Sequence, residues 1–421
     1  MGKSETSPTP QAGLGVYPQT IEAMSVAAAS QRRPFLKRIL SGLRLFAINF
    51  AIFAVFAELA SLIYINVTKW PGSKPSYQVG YNDFSADINP AFGAWHRPNG
   101  HFVHKSGCYS VAYDTNSYGA RDVERSVHSS APRVIALGDS MIEGVGQPAD
   151  KRLTNILEKD TGREYLNFAS SSFGPLQYAL MYKTMASKFD HDLVLVGVVP
   201  DNDFHDMDFA YRKAHGRNGE YRPFYADDLS VFYSGHFDPN AGEGFWDRVE
   251  AFLRAYLASY HVGLFVNSRL YWWKLSPYSG YHDYNSVDIA RLEKSLGDIK
   301  STADAHGAKV AVFLIPHAID FQRVHKTGTN PLGPLVEKWG AEHGVAAKDL
   351  LPEMDAASGG DFLAYSLCDG HWSERGSAAV AQILEPWIQQ IYANKPVQTA
   401  DAKPPAAGGK PTTNINLIPK N

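Results

Sequence analysis

Between residues 131 and 393 the apolar positions alternate between two rhythms. Short, continuous, β-branched runs predict buried strands at Val134–Leu137, Tyr165–Ala169, Leu193–Val199, Lys309–Ile315 and Val345–Ala347. Apolar residues at helical spacing predict helices over Leu153–Asp160, Leu176–Lys188, Ser286–His306, Pro331–His343 and Glu374–Tyr392. Strands apolar on both faces and separated by helices predict a parallel sheet covered on both sides, an α/β fold in three layers.

Two stretches depart from that alternation. Leu45–Ile65 is a nearly continuous apolar run of the length a bilayer requires. Arg32, Arg33, Lys37, Arg38 and Arg44 precede it and Lys69 is the main basic residue beyond, so the expected topology places the N-terminus in the cytoplasm and the rest outside. Asn49 and Glu58 interrupt the run. A carboxyl in hydrocarbon costs a few kcal/mol, so Glu58 is expected to be protonated, near the outer interface or paired. Ser30–Lys37 also resembles a twin-arginine export signal, but no small-x-small cleavage site follows, which favours a retained anchor. The second departure is an insertion over residues 204–285. There Val249, Phe252, Leu253, Tyr256, Leu257 and Tyr260 keep helical spacing up to Tyr271-Trp272-Trp273. It is expected to form an extra helical layer, a lid, an acceptor platform or a surface resting on the membrane.

These patterns divide the chain into a disordered cytoplasmic tail (1–44), an anchor (45–65), an extended, β-rich segment (70–130), the α/β domain (131–393) and a disordered tail (394–421). A balance of 40 basic against 43 acidic residues offers no field for nucleic acid or an anionic membrane surface. No Cys-x-x-Cys, His-Glu-x-x-His or P-loop is present, and Gly144-Val-Gly146 lacks the third glycine of a dinucleotide fingerprint. No cofactor or metal is expected. The two cysteines, Cys108 and Cys368, would share the oxidising side as a bridge or as separate thiols.

Candidate chemistry begins at the end of the first strand, with Gly138-Asp139-Ser140. A serine there sits where open α/β sheets place their sites, and Gly138 is expected to permit a sharp turn. It is not a G-x-S-x-G elbow, because Ile142 stands where the second glycine would be. Of the 15 histidines, His371 is the best general base. It stands in a loop beside Asp369 and just before a helix, so Asp369 can orient its ring. Asn202 follows the third strand and can reach the same sheet edge. Asp139 reads as a structural hydrogen-bonder and Glu143 as a first-turn helix charge. Gly174, His317 and Trp372 are candidate substrate contacts. His205, between Asp203 and Asp206, hints only faintly at a metal.

Gly138-Asp139-Ser140, then Asn167 through Ser172 to Gly174, then Asn202-Asp203, then Asp369-x-His371, resemble in order the four motifs of the SGNH (GDSL-type) esterase and acyltransferase superfamily. The resemblance covers about Arg133 to Tyr392. It implies a flavodoxin-like strand order, Ser140 as nucleophile, His371 as base and Asp369 as its partner. It also implies an oxyanion hole made by the N–H groups of Ser140 and Ser172 with the Asn202 amide. Two departures stand out. Ser172 falls where the family has glycine, and Asp-x-His is one residue shorter than the common spacing. That spacing is similar to the alginate O-acetyltransferase branch and to membrane-anchored bacterial relatives, and Asn116-Ser-Tyr-Gly-Ala-Arg121-Asp122 resembles the segment that precedes this domain in the membrane-anchored relatives. The implied activity is an extracytoplasmic esterase acting on acyl esters, possible substrates being envelope polysaccharide or lipid. O-acyl transfer to such a glycan and a catalytically silent binding module are the alternatives.

Overall fold

The computed structural model describes residues 19–68, 74–75, 77, 87–105, 109–215, 220–235, 245–272, 278–358 and 370–393. The chain forms two compact units, Met1–Ala60 and Ser61–Asn421. Helix α1 (Gln19–Thr68) occupies the described part of the first and runs on into the second. Its Lys37–Thr68 stretch, whose most apolar 18-residue window has a mean hydropathy of 2.1, is long and apolar enough to cross a membrane. The helix starts well before the apolar run, so residues 19–44 are helical where a tail was expected. Ile21 to Ser30 holds neither glycine nor proline and is rich in alanine, a strong helix former.

The second unit continues with two antiparallel hairpins, β1 (Asp87–Asn89) with β2 (Gly93–Trp95) and β3 (His101–Lys105) with β4 (Ser110–Asp114). The sheet starts at β5 (Arg133–Leu137), followed by the single-turn α2 (Ser140–Glu143) and by α3 (Leu153–Thr161). Next come β6 (Glu164–Asn167) with α4 (Pro175–Thr184), and β7 (Leu193–Val198) with α5 (Pro200–Met207) and α6 (Phe209–His215). The insertion contributes a hairpin, β8 (Arg222–Tyr225) and β9 (Val231–Ser234), and two helices, α7 (Phe245–Tyr256) and α8 (Ala258–Trp272). Then follow α9 (Ser286–Ala305), β10 (Lys309–Leu314), α10 (Ala318–Thr327), α11 (Leu332–His343), β11 (Ala346–Asp349), α12 (Leu351–Ser358) and α13 (Glu374–Tyr392).

Five strands pair in parallel in the order β11-β10-β7-β5-β6. This is the flavodoxin-like order, and every residue of β5 and β7 is buried. Helices α3 and α13 pack together, as do α4 and α9, enclosing the core between helices and sheet. The chain leaves β5 for β6 at one edge and then crosses back to β7. The carboxyl ends of β5 and β7 therefore flank the switch point where such sheets open a crevice.

The insertion differs from its expected outline. Helix α5 carries its first residues as far as Met207, and the single expected helix is two, parted at Leu257. Val249, Leu253 and Tyr256 are partly buried while Phe252 is exposed, so the aromatic stripe is only half covered. Trp273 lies outside the described residues. Helices α10 and α12 were not foreseen in the sequence.

Gly138 does not sit in the left-handed region, so a sharp turn is not what requires it. Space is. A Cβ at Gly138 would come 2.3 Å from Ile142 Cγ1, and one at Gly197 in β7 would come 2.6 Å from Ile142 Cδ1. Two glycines at adjacent strand ends thus let α2 lie down on the sheet through Ile142. Gly197→Ala should destabilise the chain by about 1–3 kcal/mol through overpacking. Adding Ile142→Val, which removes the clashing methyl, should recover part of the loss. Thermal unfolding of the detergent-solubilised full chain checks both, and an unchanged melting temperature for Gly197→Ala would contradict the packing.

Candidate active site

Ser140 opens α2 immediately beyond β5 and is 7% exposed. Asp139 caps the helix from an extended backbone, its carboxylate accepting from Met141 N at 2.8 Å. Across the switch point, Asn202 in the first turn of α5 donates its amide to the other Asp139 oxygen at 3.1 Å. An amide carries two N–H groups, so a second donor remains on Asn202. Burial pushes the Asp139 carboxyl up, and the bonds from Met141 and Asn202 oppose the shift. Asp139 is structural, as the sequence suggested. Asp203 turns inward, accepting from Tyr178 Oη at 2.8 Å and Val199 N at 2.9 Å, and burial drives its pKa well above the usual carboxylate range.

His371 reaches Ser140 from the far end of the domain, with Nε2 and Oγ 2.8 Å apart. Two residues on, Ser373 caps α13 by accepting from Gly376 N at 3.2 Å. Asp369, Cys108 and Cys368 lie outside the described residues.

A buried framework that motif reading missed holds these loops in place. Arg121, from the Asn116–Asp122 segment, stacks 3.3 Å over the Tyr113 ring. Its guanidinium donates to the carbonyls of Glu143 (2.9 Å), Gly144 (2.6 Å) and Gln147 (2.7 Å), clamping the turn that ends α2. Gln147 passes the constraint on. Its amide donates to Trp372 O at 2.8 Å and accepts from Ser377 Oγ at 2.8 Å. The turn after Ser140 is thus tied to the residue after His371. Trp372 itself is 1% exposed, so its ring belongs to the core rather than to a substrate surface.

The Ser170–Ser172 loop is fixed in the same manner. Ser171 donates N–H (2.7 Å) and Oγ–H (2.5 Å) to Glu143, and Arg222 donates to Ser172 O at 2.6 Å. Glu143 is therefore not merely a first-turn charge but a buried anchor, 3.7 Å from His96. Burial alone would raise its carboxyl. The charges of His96 and Arg121 and the Ser171 bonds outweigh burial and hold it below the usual range. Ser172 has φ of +63°, the left-handed conformation that favours glycine. Gly174 caps α4 and is buried against Asp206.

A cleft of about 380 Å³ is lined by Asp201, Asn202, His317, Ala318, Ile319, Gly370 and His371. His317 was a candidate contact and does line the cleft, with Nδ1 2.7 Å from Asp201 Oδ2. Gly174 and Trp372 do not line it. His205 stacks on Tyr211, their ring centres 3.8 Å apart, and no group of three or more potential metal ligands occurs among the described residues.

Compared with models of known protein families, the chain matches none, and no curated protein matches it. Solved structures do. A lipolytic protein of the G-D-S-L family from Veillonella parvula is 12% identical, with 62% of this chain and 100% of that one covered at a TM-score of 0.34. A GDSL-like lipase from Bacteroides thetaiotaomicron is 11% identical, covering 63% and 93% at 0.36. A two-domain esterase active on acetylated mannans is 9% identical, covering 64% and 53% at 0.35. Likenesses of this size carry no argument about activity, and the fold rests on the strand order of the chain itself.

The left-handed backbone at Ser172 carries a penalty of about 1–2 kcal/mol for a residue with a Cβ. Ser172→Gly should therefore melt no lower than the parent, and Ser172→Val at least about 1 kcal/mol less stable. A lower melting temperature for the glycine variant would contradict the backbone reading.

Proposed function

We propose that the protein is a membrane-anchored serine esterase of the SGNH type, cleaving O-acyl esters through an acyl-enzyme. The observation that carries this reading is the 2.8 Å contact between His371 Nε2 and Ser140 Oγ at the switch point of the sheet. As Ser140 Oγ attacks the ester carbonyl, His371 takes its proton. Negative charge on the carbonyl oxygen meets the N–H groups of Ser140 and Ser172 and the second Asn202 amide proton. His371 then protonates the departing alcohol, and water activated by the same ring releases the acyl group. Asp369 orients the imidazole and stabilises its charged form. The steps as written require no cofactor.

Topology is part of the same proposal. With five basic residues before the apolar run, the N-terminus stays in the cytoplasm of a bacterial cell and the catalytic unit faces the periplasm, anchored in the inner membrane. Envelope polysaccharide or lipid esters are then within reach. O-acyl transfer to a glycan uses the same acyl-enzyme, and the Asp369-x-His371 spacing favours it as the second reading. A silent binding module is disfavoured, since it would not need the Ser140–His371 contact.

A fluorophosphonate should label the full chain in detergent, with labelling lost in Ser140→Ala and strongly reduced in His371→Ala. Undiminished labelling of Ser140→Ala would sink the assignment. Asn202→Ala should lower turnover of an acetyl ester by about a hundredfold at similar thermal stability. Unaltered turnover would remove Asn202 from the oxyanion hole.

A further inference from the structure

The insertion presents an apolar surface that the proposed reaction does not use. Outside α1, the two most exposed large apolar side chains among the described residues are Trp246, at 77%, and Phe245, at 71%, with Phe252 at 54% two turns on. Phe53, on the stretch of α1 fit to cross a membrane, is open to the same degree at 70%. All three belong to α7, where Phe245, Val249, Phe252 and Tyr256 recur at helical spacing along one face. The opposite side is polar, with Arg254 paired to Glu250 at 2.6 Å. A contiguous apolar patch with a charged rim marks an interaction surface.

Its position identifies the occupant. The last turns of the membrane-crossing stretch, from Ser61 to Thr68, fall in the same compact unit as α7 and α8. There Ile65 is buried, and the Tyr64 ring centre lies 6.5 Å from that of Phe265, midway along α8. Tyr77, shortly beyond α1, is a second tie: its N–H donates to Ala255 O at 2.9 Å, and its ring lies 6.5 Å from Tyr256. The two helices are thus fastened to the end of a span, and the end of a span lies in the headgroup layer. Amphipathic helices with Trp and Phe on the apolar face bind that layer, sinking roughly 5–10 Å into the boundary of headgroups and acyl chains. A bilayer is the partner that the span itself brings to this spot.

Resting on α1 as a membrane span, we propose that α7 is a second, peripheral membrane contact, with Phe245, Trp246 and Phe252 inserted into the phospholipid boundary beside the exit of α1. The chain is then attached at two points, a span and a surface helix, and does not swivel freely on its anchor.

The test uses the full chain in nanodiscs of phosphatidylethanolamine and phosphatidylglycerol, doped with a phosphatidylcholine that carries a diazirine near the carboxyl end of one acyl chain. After irradiation, mass spectrometry of the digest should find lipid adducts on α1 and on the peptide holding Phe245–Phe252. Trp246→Ser with Phe252→Ser, both at exposed positions, should keep the melting temperature and the α1 adducts but lose those on α7. Trp246→Ser alone serves if the double variant melts lower. Adducts confined to α1 would overturn the proposal, as would α7 adducts that survive the substitutions. Discs holding two chains, with α7 free of lipid and cross-linked to its partner, would assign the face to a second copy and overturn it equally. A chain with no adducts on α1 would instead overturn the membrane span on which the proposal rests.

Discussion

The site depends on one hydrogen bond, between His371 Nε2 and Ser140 Oγ, whose partners stand near opposite ends of the domain sequence. Ser140 is placed by β5, an inner strand of the sheet, and His371 by the loop before α13, the last element. Nothing local brings them together. The contact forms only once β5 has paired with both neighbours and α13 has docked beside α3. Formation of this pair is thus coupled to completion of the fold, and Ser140 meets His371 only in the assembled domain.

Around that bond, precision comes from buried polar groups. Arg121, Glu143, Gln147 and Asp203 are all sealed from solvent, and each spends its hydrogen-bonding capacity on the backbone of a loop that carries a motif residue. Burying such groups without partners would be costly, whereas fully satisfied they select one loop conformation over its alternatives. Apolar packing alone would hold the layers together without fixing loops to tenths of an ångström. The aligned backbones of the Ser140, Ser172 and His371 loops result from this network.

Much of this was legible in sequence because its signals are local. β-Branched runs gave the five strands within a residue or two, and Asp139 read as structural from its place before a helix. What stayed hidden depends on three-dimensional burial. Glu143 looks like any acidic residue in a first turn until Ser171 and His96 are found against it. Asn116–Asp122 was noticed as a segment, but the partners of Arg121 are backbone carbonyls, which have no sequence signature. Gly138 was singled out for the wrong reason, since its crowding comes from Ile142, four residues on. Helix α10 carried a usable signal in His317 and Asp320, which form its capping box, but spans only ten residues.

The position of Arg121 and His96 redraws the border of the domain. The four motifs that run in order from Gly138 to His371 all lie after Arg133, so a recombinant fragment designed on them would start at the first strand of the sheet. Such a fragment would lack the guanidinium that closes the turn after Ser140 and the imidazole beside Glu143. It would also leave exposed the surfaces that Phe92 and Trp95 cover from upstream. The portion of the chain that looks like a spacer is a lining of the α/β fold, and a fragment that keeps this lining has to include Phe92 onward.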